Sequence, residues 1–253
     1  MKSKILLSIL SLIAIYGSAT AQSDSTSKSS TKKYSSGFAI YGEFGLLSNN
    51  SFTDIRKSLK AQGIEPFGSL MGSIVLAKRI ETTRWVAENR LIIMNSTRYN
   101  NDVDVKRGSL WGLGIGMTAG PKIVNTSKWN VFIPVGLDAM IYKLGIKSNS
   151  SASFARLLLS PANYQAIKLY STSLNLNAGV GVDYKTGLMP SKFDKFYISA
   201  KASYHLPIAT SGQWRGENVQ VNDLASFKPS QLYLSVGLVM MPKFAHSKWG
   251  GMH

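Results

Sequence analysis

Three histidines, no cysteine and 13 carboxylates bound the chemistry available to this chain. Without thiols there are no disulfides, thiolate metal sites or thioether lipid anchor. Only His205 lies within an apolar-periodic segment. Ser203 stands two residues before it and Glu217 follows in the next connection, so nucleophile, base and acid of an acyl hydrolysis are all within reach. On a strand, Ser203 and His205 share one face, the same face as the other polar residues of the segment, which points them away from lipid. That orientation is wrong for attack on an acyl chain, and no catalytic residue is assigned. His246 and His253 sit in the C-terminal tail without a third ligand, so no metal and no cofactor is expected. A second chemical set is larger. Glu43, Glu88, Asp138 and Asp183, with Arg79, Arg90 and Lys201, are charges placed inside segments that otherwise alternate apolar residues with small or polar ones. Their chemistry is ion pairing.

The segments that carry them set the fold. Eight stretches alternate with period two, the mark of half-buried strands, at 38–47, 70–80, 85–95, 109–121, 129–142, 173–184, 195–206 and 231–241. In the first, Phe38, Ile40, Phe44 and Leu46 oppose Tyr41 and Glu43. The fourth sets Trp111, Leu113, Ile115 and Met117 against Gly112, Gly114, Gly116 and Thr118, and its glycines point to a crowded interior or a bent strand. The fifth offers Trp129, Val131, Ile133, Val135, Leu137, Ala139 and Ile141 on one face. One face is thus apolar for the height of a bilayer while the other is small and polar. This predicts an all-β, eight-stranded antiparallel up-and-down transmembrane β-barrel, apolar outside and polar within. By that parity Glu43, Arg79, Glu88, Arg90, Asp138, Asp183 and Lys201 face the lumen. An eight-stranded barrel is just wide enough for side chains to fill, so the set is expected to form an ion-pair plug.

The connections run long and short in turn. Residues 81–83 and 125–127 are tight and 185–194 moderate, whereas 48–69, 96–108, 144–168 and 207–230 are long, so both termini are expected on the periplasmic side. Trp85, Trp129 and Tyr184 fall at strand ends beside the short turns, where an interfacial aromatic belt belongs. Short helical elements are expected in the outer loops: one at 52–62, capped by Ser51, with Ile55 and Leu59 on one face and Gly63 as its stop, and a second at 153–160. Lys2 and Lys4, an apolar run at 5–16 and Ala19-Thr20-Ala21 predict a signal peptide over 1–21. A disordered periplasmic tail over 22–36, the barrel over 37–241 and a C-terminal tail over 242–253 complete the division.

The formal charge of +16 does not point to nucleic acid, because the Lys and Arg are scattered over tails and loops of an exported chain. Outer-membrane lipid, lipopolysaccharide included, is the expected partner, with other envelope proteins a further prospect through the outer loops. The chain also resembles the small eight-stranded outer-membrane β-barrels of Bacteroidota, the OmpA-like and porin-family barrels. The resemblance is carried by Ala19-Thr20-Ala21-Gln22, by Tyr41-Gly42-Glu43-Phe44-Gly45, by the helical first loop ending at Gly63, by the Gly112 to Gly120 strand and by Leu232-Tyr233-Leu234-Ser235-Val236-Gly237-Leu238. It implies a location in the cell outer membrane, and the plugged lumen with basic loop residues such as Arg56, Lys57, Lys60, Arg98, Lys106 and Arg107 points to a structural, scaffolding or surface-interaction role. A narrow or gated porin-like channel, or an accessory subunit of an envelope secretion machine, is the alternative. A lipid A-modifying enzyme ranks last, since Pro207 stands where such enzymes would show a further Ser.

Overall fold

The computed structural model describes residues 34–96, 106–148, 166–216, 221 and 227–243. The chain forms β1 (Tyr34–Leu46), α1 (Asn50–Ala61), β2 (Leu70–Thr82), β3 (Trp85–Ser96), β4 (Lys106–Asn125), β5 (Trp129–Phe132), β6 (Val135–Ser148), β7 (Ile167–Thr186), β8 (Phe193–Thr210) and β9 (Gln231–Pro242). Every described pairing between named strands is antiparallel. β1 pairs both β2 and β9, and the order then runs through β3, β4, β6, β7 and β8, so the sheet closes on itself. β5 and β6 both lie between β4 and β7, so the 9-stranded sheet is a ring with eight positions.

The expected fifth strand, 129–142, is therefore split at Ile133 and Pro134. Proline has no N–H for the ladder. The wall stays joined across the split through Ile133 N–H to Pro121 O at 3.2 Å and Gly179 N–H to Pro134 O at 3.0 Å. Other boundaries also move. β4 and β7 each run 20 residues and take several positions expected in the long connections. β1 starts at Tyr34, inside the expected tail. The expected signal segment, the rest of the tail, the 153–160 element, Glu217, His246 and His253 lie outside the described residues.

Face assignment follows the alternation. Phe38, Ile40, Phe44, Ile74, Leu113, Ile115, Leu137, Val180, Leu234 and Val236 are exposed on the outer wall, and Ala39, Tyr41, Val75, Ile92, Tyr142 and Val239 are buried within. A soluble protein would not leave so continuous an apolar band in water. No helix among the described residues is long and apolar enough to cross a membrane. The strands do have the length: a tilted spanning strand needs ~9–11 residues, and β1 alone has 13.

α1 closes the long-loop end. Its cap is Asn49, whose side-chain oxygen accepts from Phe52 N–H at 3.2 Å. Ser51, the expected cap, instead uses its hydroxyl to accept from Lys228 N–H at 3.0 Å, fastening the helix to the segment before β9. Asn49 supplies a carboxamide one residue before the helix, which leaves the Ser51 hydroxyl free for that tie. Gly63, at φ 68°, ends the helix in the left-handed region. Phe52, Ile55 and Leu59 point into the barrel mouth, where Phe52 meets Phe227 edge-on at 5.3 Å and Phe227 in turn meets Tyr142 and Trp214.

The β4 glycines have a steric reason. A Cβ on Gly112 would strike Met94, one on Gly114 would strike Met140, and one on Gly116 would overlap the Asp138 carboxylate. The stripe is the space that three interior side chains occupy. Gly116→Val is expected to cost about 1–3 kcal/mol or to prevent closure. Heat-modifiable electrophoretic mobility of the refolded variant checks this, and native-like folding yield would contradict it.

Candidate functional site: the lumen network

The lumen is arranged in levels along the barrel. At the short-turn end, Glu81 of β2 gathers three cations from three strands: Lys195 Nζ at 2.5 Å, Lys122 Nζ at 3.5 Å and Arg79 Nη2 at 3.7 Å. The Tyr197 hydroxyl donates to the same carboxylate at 2.9 Å. Lys195 is partly exposed at this mouth, whereas Glu81 is fully buried.

One level up, Arg79 reaches across the lumen. Its guanidinium makes a two-pronged pair with Asp183 of β7 and lies 3.4 Å from Glu88 of β3. The planar fork matches the carboxylate geometry, which a lysine cannot do. Its carbon face sits over the Phe132 ring at 5.1 Å and the Tyr197 ring at 5.7 Å. Glu88 takes two further bonds, from Lys201 Nζ at 2.5 Å and from the Tyr41 hydroxyl at 2.6 Å. Lys201 also sits over the Tyr41 ring at 3.7 Å.

The third level joins Arg90 to Glu43 at 3.0 Å, with the Ser235 hydroxyl donating to the same oxygen at 3.2 Å. Asp138 completes it. Its Oδ2 accepts from Asn177 Nδ2 at 3.0 Å and lies 3.3 Å from His205 Nδ1. Above this level the interior turns apolar, with Met71, Met94, Leu110, Leu144 and Leu169 beneath α1.

All seven charges read from the sequence, Glu43, Arg79, Glu88, Arg90, Asp138, Asp183 and Lys201, lie on the lumen face and are brought together there. Three further members, Glu81, Lys122 and Lys195, escape the sequence reading. The expected second strand stops at Ile80, one residue short of Glu81, and the expected fourth stops at Pro121, one short of Lys122. Lys195 is legible: it shares the parity of Lys201 on the same strand. Trp85, Trp129 and Tyr184 are exposed on the outer wall beside the short turns, and Trp129 packs on Tyr184 with ring centroids 4.7 Å apart.

The Ser203–His205 pair also faces inward. Ser203 Oγ lies 3.5 Å from His205 Nε2, and the acid beside the imidazole is Asp138. The order is that of a triad, but all three are buried, Asp138 is shared with Asn177 and the Tyr233 ring lies on His205 at 4.4 Å. The trio is knitted into the interior network and turned away from the outer wall. Among the described residues no group of three or more His, Cys, Asp or Glu is placed to hold a metal.

No protein-family model matches the chain, and no curated protein matches it. Among solved structures it is similar to Ail, the attachment invasion locus protein of Yersinia pestis, at 12% identity over 83% of this chain and 99% of that one, with a TM-score of 0.43. It is also similar to a major outer membrane protein from Thermus thermophilus, at 12% identity over 81% and 98% of the two chains, with a TM-score of 0.40. Similarities at this level carry no functional argument.

Removing one partner of a buried pair strands the other. Arg79→Leu would leave Asp183 without its main partner and is expected to lower unfolding free energy by about 3–5 kcal/mol. Lys195→Leu, at the open mouth, should cost no more than about 1 kcal/mol. Urea titrations of refolded protein followed by tryptophan fluorescence discriminate the two, and equal losses would remove Arg79 from its central place.

Proposed function

We propose that this protein is an outer-membrane β-barrel whose lumen is closed by its own side chains, and that it serves a structural, scaffolding or surface-interaction role. The observation that carries the reading is the filled interior. Ion pairs occupy the lower and middle lumen, and α1 with Phe67, Trp214 and Phe227 occupies the mouth. The apolar outer wall and the aromatic residues near the short turns support insertion in a bilayer. The long-loop end then faces the cell exterior and both termini face the periplasm.

The described exterior end is basic. Lys57, Lys60, Lys106, Lys147, Lys168, Arg215 and Lys228 are exposed there. Glu65, by contrast, is paired with Arg107 at 3.2 Å. Such a surface suits anionic lipid headgroups or acidic glycans, and proteins of the envelope through the same loops. No substrate is assigned and no enzymatic role is proposed.

Planar-bilayer recording tests the closed lumen. The refolded protein should show no steady conductance, and an Arg90→Ala, Lys201→Ala double variant should open at most brief, small events. Stable conductance by the unaltered protein would replace the scaffold with a narrow channel.

A further inference from the structure

Lys143, Lys147, Lys168 and Arg215 belong to no lumen contact and share one sector of the outer wall. Opposite residues in an antiparallel ladder project to the same face. Trp111 stands opposite Lys143, Lys143 opposite Tyr170, and Tyr170 opposite Arg215 in the segment after β8. Trp111 and Tyr170 are exposed on the wall, so the whole row points outward. Lys168, opposite Gly145, lies one step nearer the long loops, and Lys147, opposite Arg107, lies one step beyond that. With strands ~4.8 Å apart and ~3.4 Å per residue, Lys143, Lys168 and Arg215 stand about 8–10 Å from one another, and Lys147 stands about 8 Å from Lys168.

Two facts separate this patch from ordinary interfacial lysines. None of the four cations has an ion-pair partner among the described residues, since Glu65 is held by Arg107. Among the described residues the cations also do not ring the barrel. At the same end, the outer wall of β1, β2, β8 and β9 presents Leu46, Leu70, Ile208 and Leu232. A general headgroup anchor would be distributed around the circumference, whereas this one is gathered over β6, β7 and the segment after β8 that bridges to Tyr170.

We infer that this sector is a binding site for a glycolipid whose headgroup carries two or more phosphates. The cations hold the phosphates, Trp111 and Tyr170 lie at headgroup depth, and the acyl chains lie along Leu113 and Ile141 just below. A lipid with a single phosphate can occupy only part of an array this wide. The inference rests on the membrane reading above, but it does not depend on whether the lumen conducts.

Native mass spectrometry of the protein in non-ionic maltoside micelles provides the test, with bis-phosphorylated lipid A as probe. One lipid A should remain bound per barrel. The Lys143→Gln, Lys168→Gln double variant should weaken that binding about tenfold, and dephosphorylated lipid A should lose it similarly. A Lys128→Gln, Lys192→Gln variant, exposed at the short-turn end, should bind as the unaltered protein does, which controls for the loss of two charges. Equal retention of phosphatidylglycerol and lipid A, or unchanged binding in the Lys143/Lys168 variant, would overturn the site. Because the measurement is made in micelles, its failure would leave the conductance result untouched, and the reverse also holds.

Discussion

The Arg79–Asp183 pair spans the lumen from β2 to β7, and much of the interior is arranged around it. A guanidinium enclosed by a closed wall must find acceptors, because water is largely excluded and an unpaired charge there is costly. Asp183 and Glu88 provide them, with Glu81 close by, and the rings of Phe132 and Tyr197 flank its faces. Neutralising those acids in turn sets the places of Lys201, Lys122 and Lys195. The lower lumen is thus one connected set of charges.

Packing density explains the composition of the wall around that set. Gly116 yields its volume to Asp138, Gly114 to Met140 and Gly181 to the Phe132 ring. Phe132 is also the ring that flanks Arg79, so a glycine on β7 is coupled through an aromatic on β5 to a charge on β2. The change from ionic below to apolar above has a similar logic. α1 brings Phe52, Ile55 and Leu59 to the mouth, where mostly apolar side chains meet them, with the indole N–H of buried Trp214 left without a hydrogen-bond acceptor among the described residues.

The period-two pattern makes the wall legible, because a residue's parity on a strand settles whether it meets the lumen or the exterior. Parity alone places Glu43, Arg79, Glu88, Arg90, Asp138, Asp183 and Lys201 on the correct face. Which carboxylate meets which cation is not legible, since partners such as Arg79 and Asp183 are joined by closure rather than by neighbouring sequence. Strand ends are also obscure. Alternation fades where a strand leaves the apolar band, and Glu81 and Lys122 sit in that fringe. The helix cap is misread because Asn49 and Ser51 are both competent caps, and only the tertiary tie to Lys228 decides between them. Pro134 in the sequence could have announced the split between β5 and β6.

The separation of partners along the chain bears on how the barrel is made. Arg79 and Asp183 are 104 residues apart, Lys195 and Glu81 are 114, and Ser235 and Glu43 are 192. The last of these joins β9 to β1, the seam at which the ring shuts. A half-assembled sheet could pair Arg79 with Glu88 across β2 and β3, but it would hold Asp183, Lys195 and Ser235 away from their partners and facing a gap. Full neutralisation therefore waits for closure, and partly rolled intermediates are disfavoured by their own inner surface. The pairing that fills the lumen thus also favours the closed ring over a partly rolled sheet.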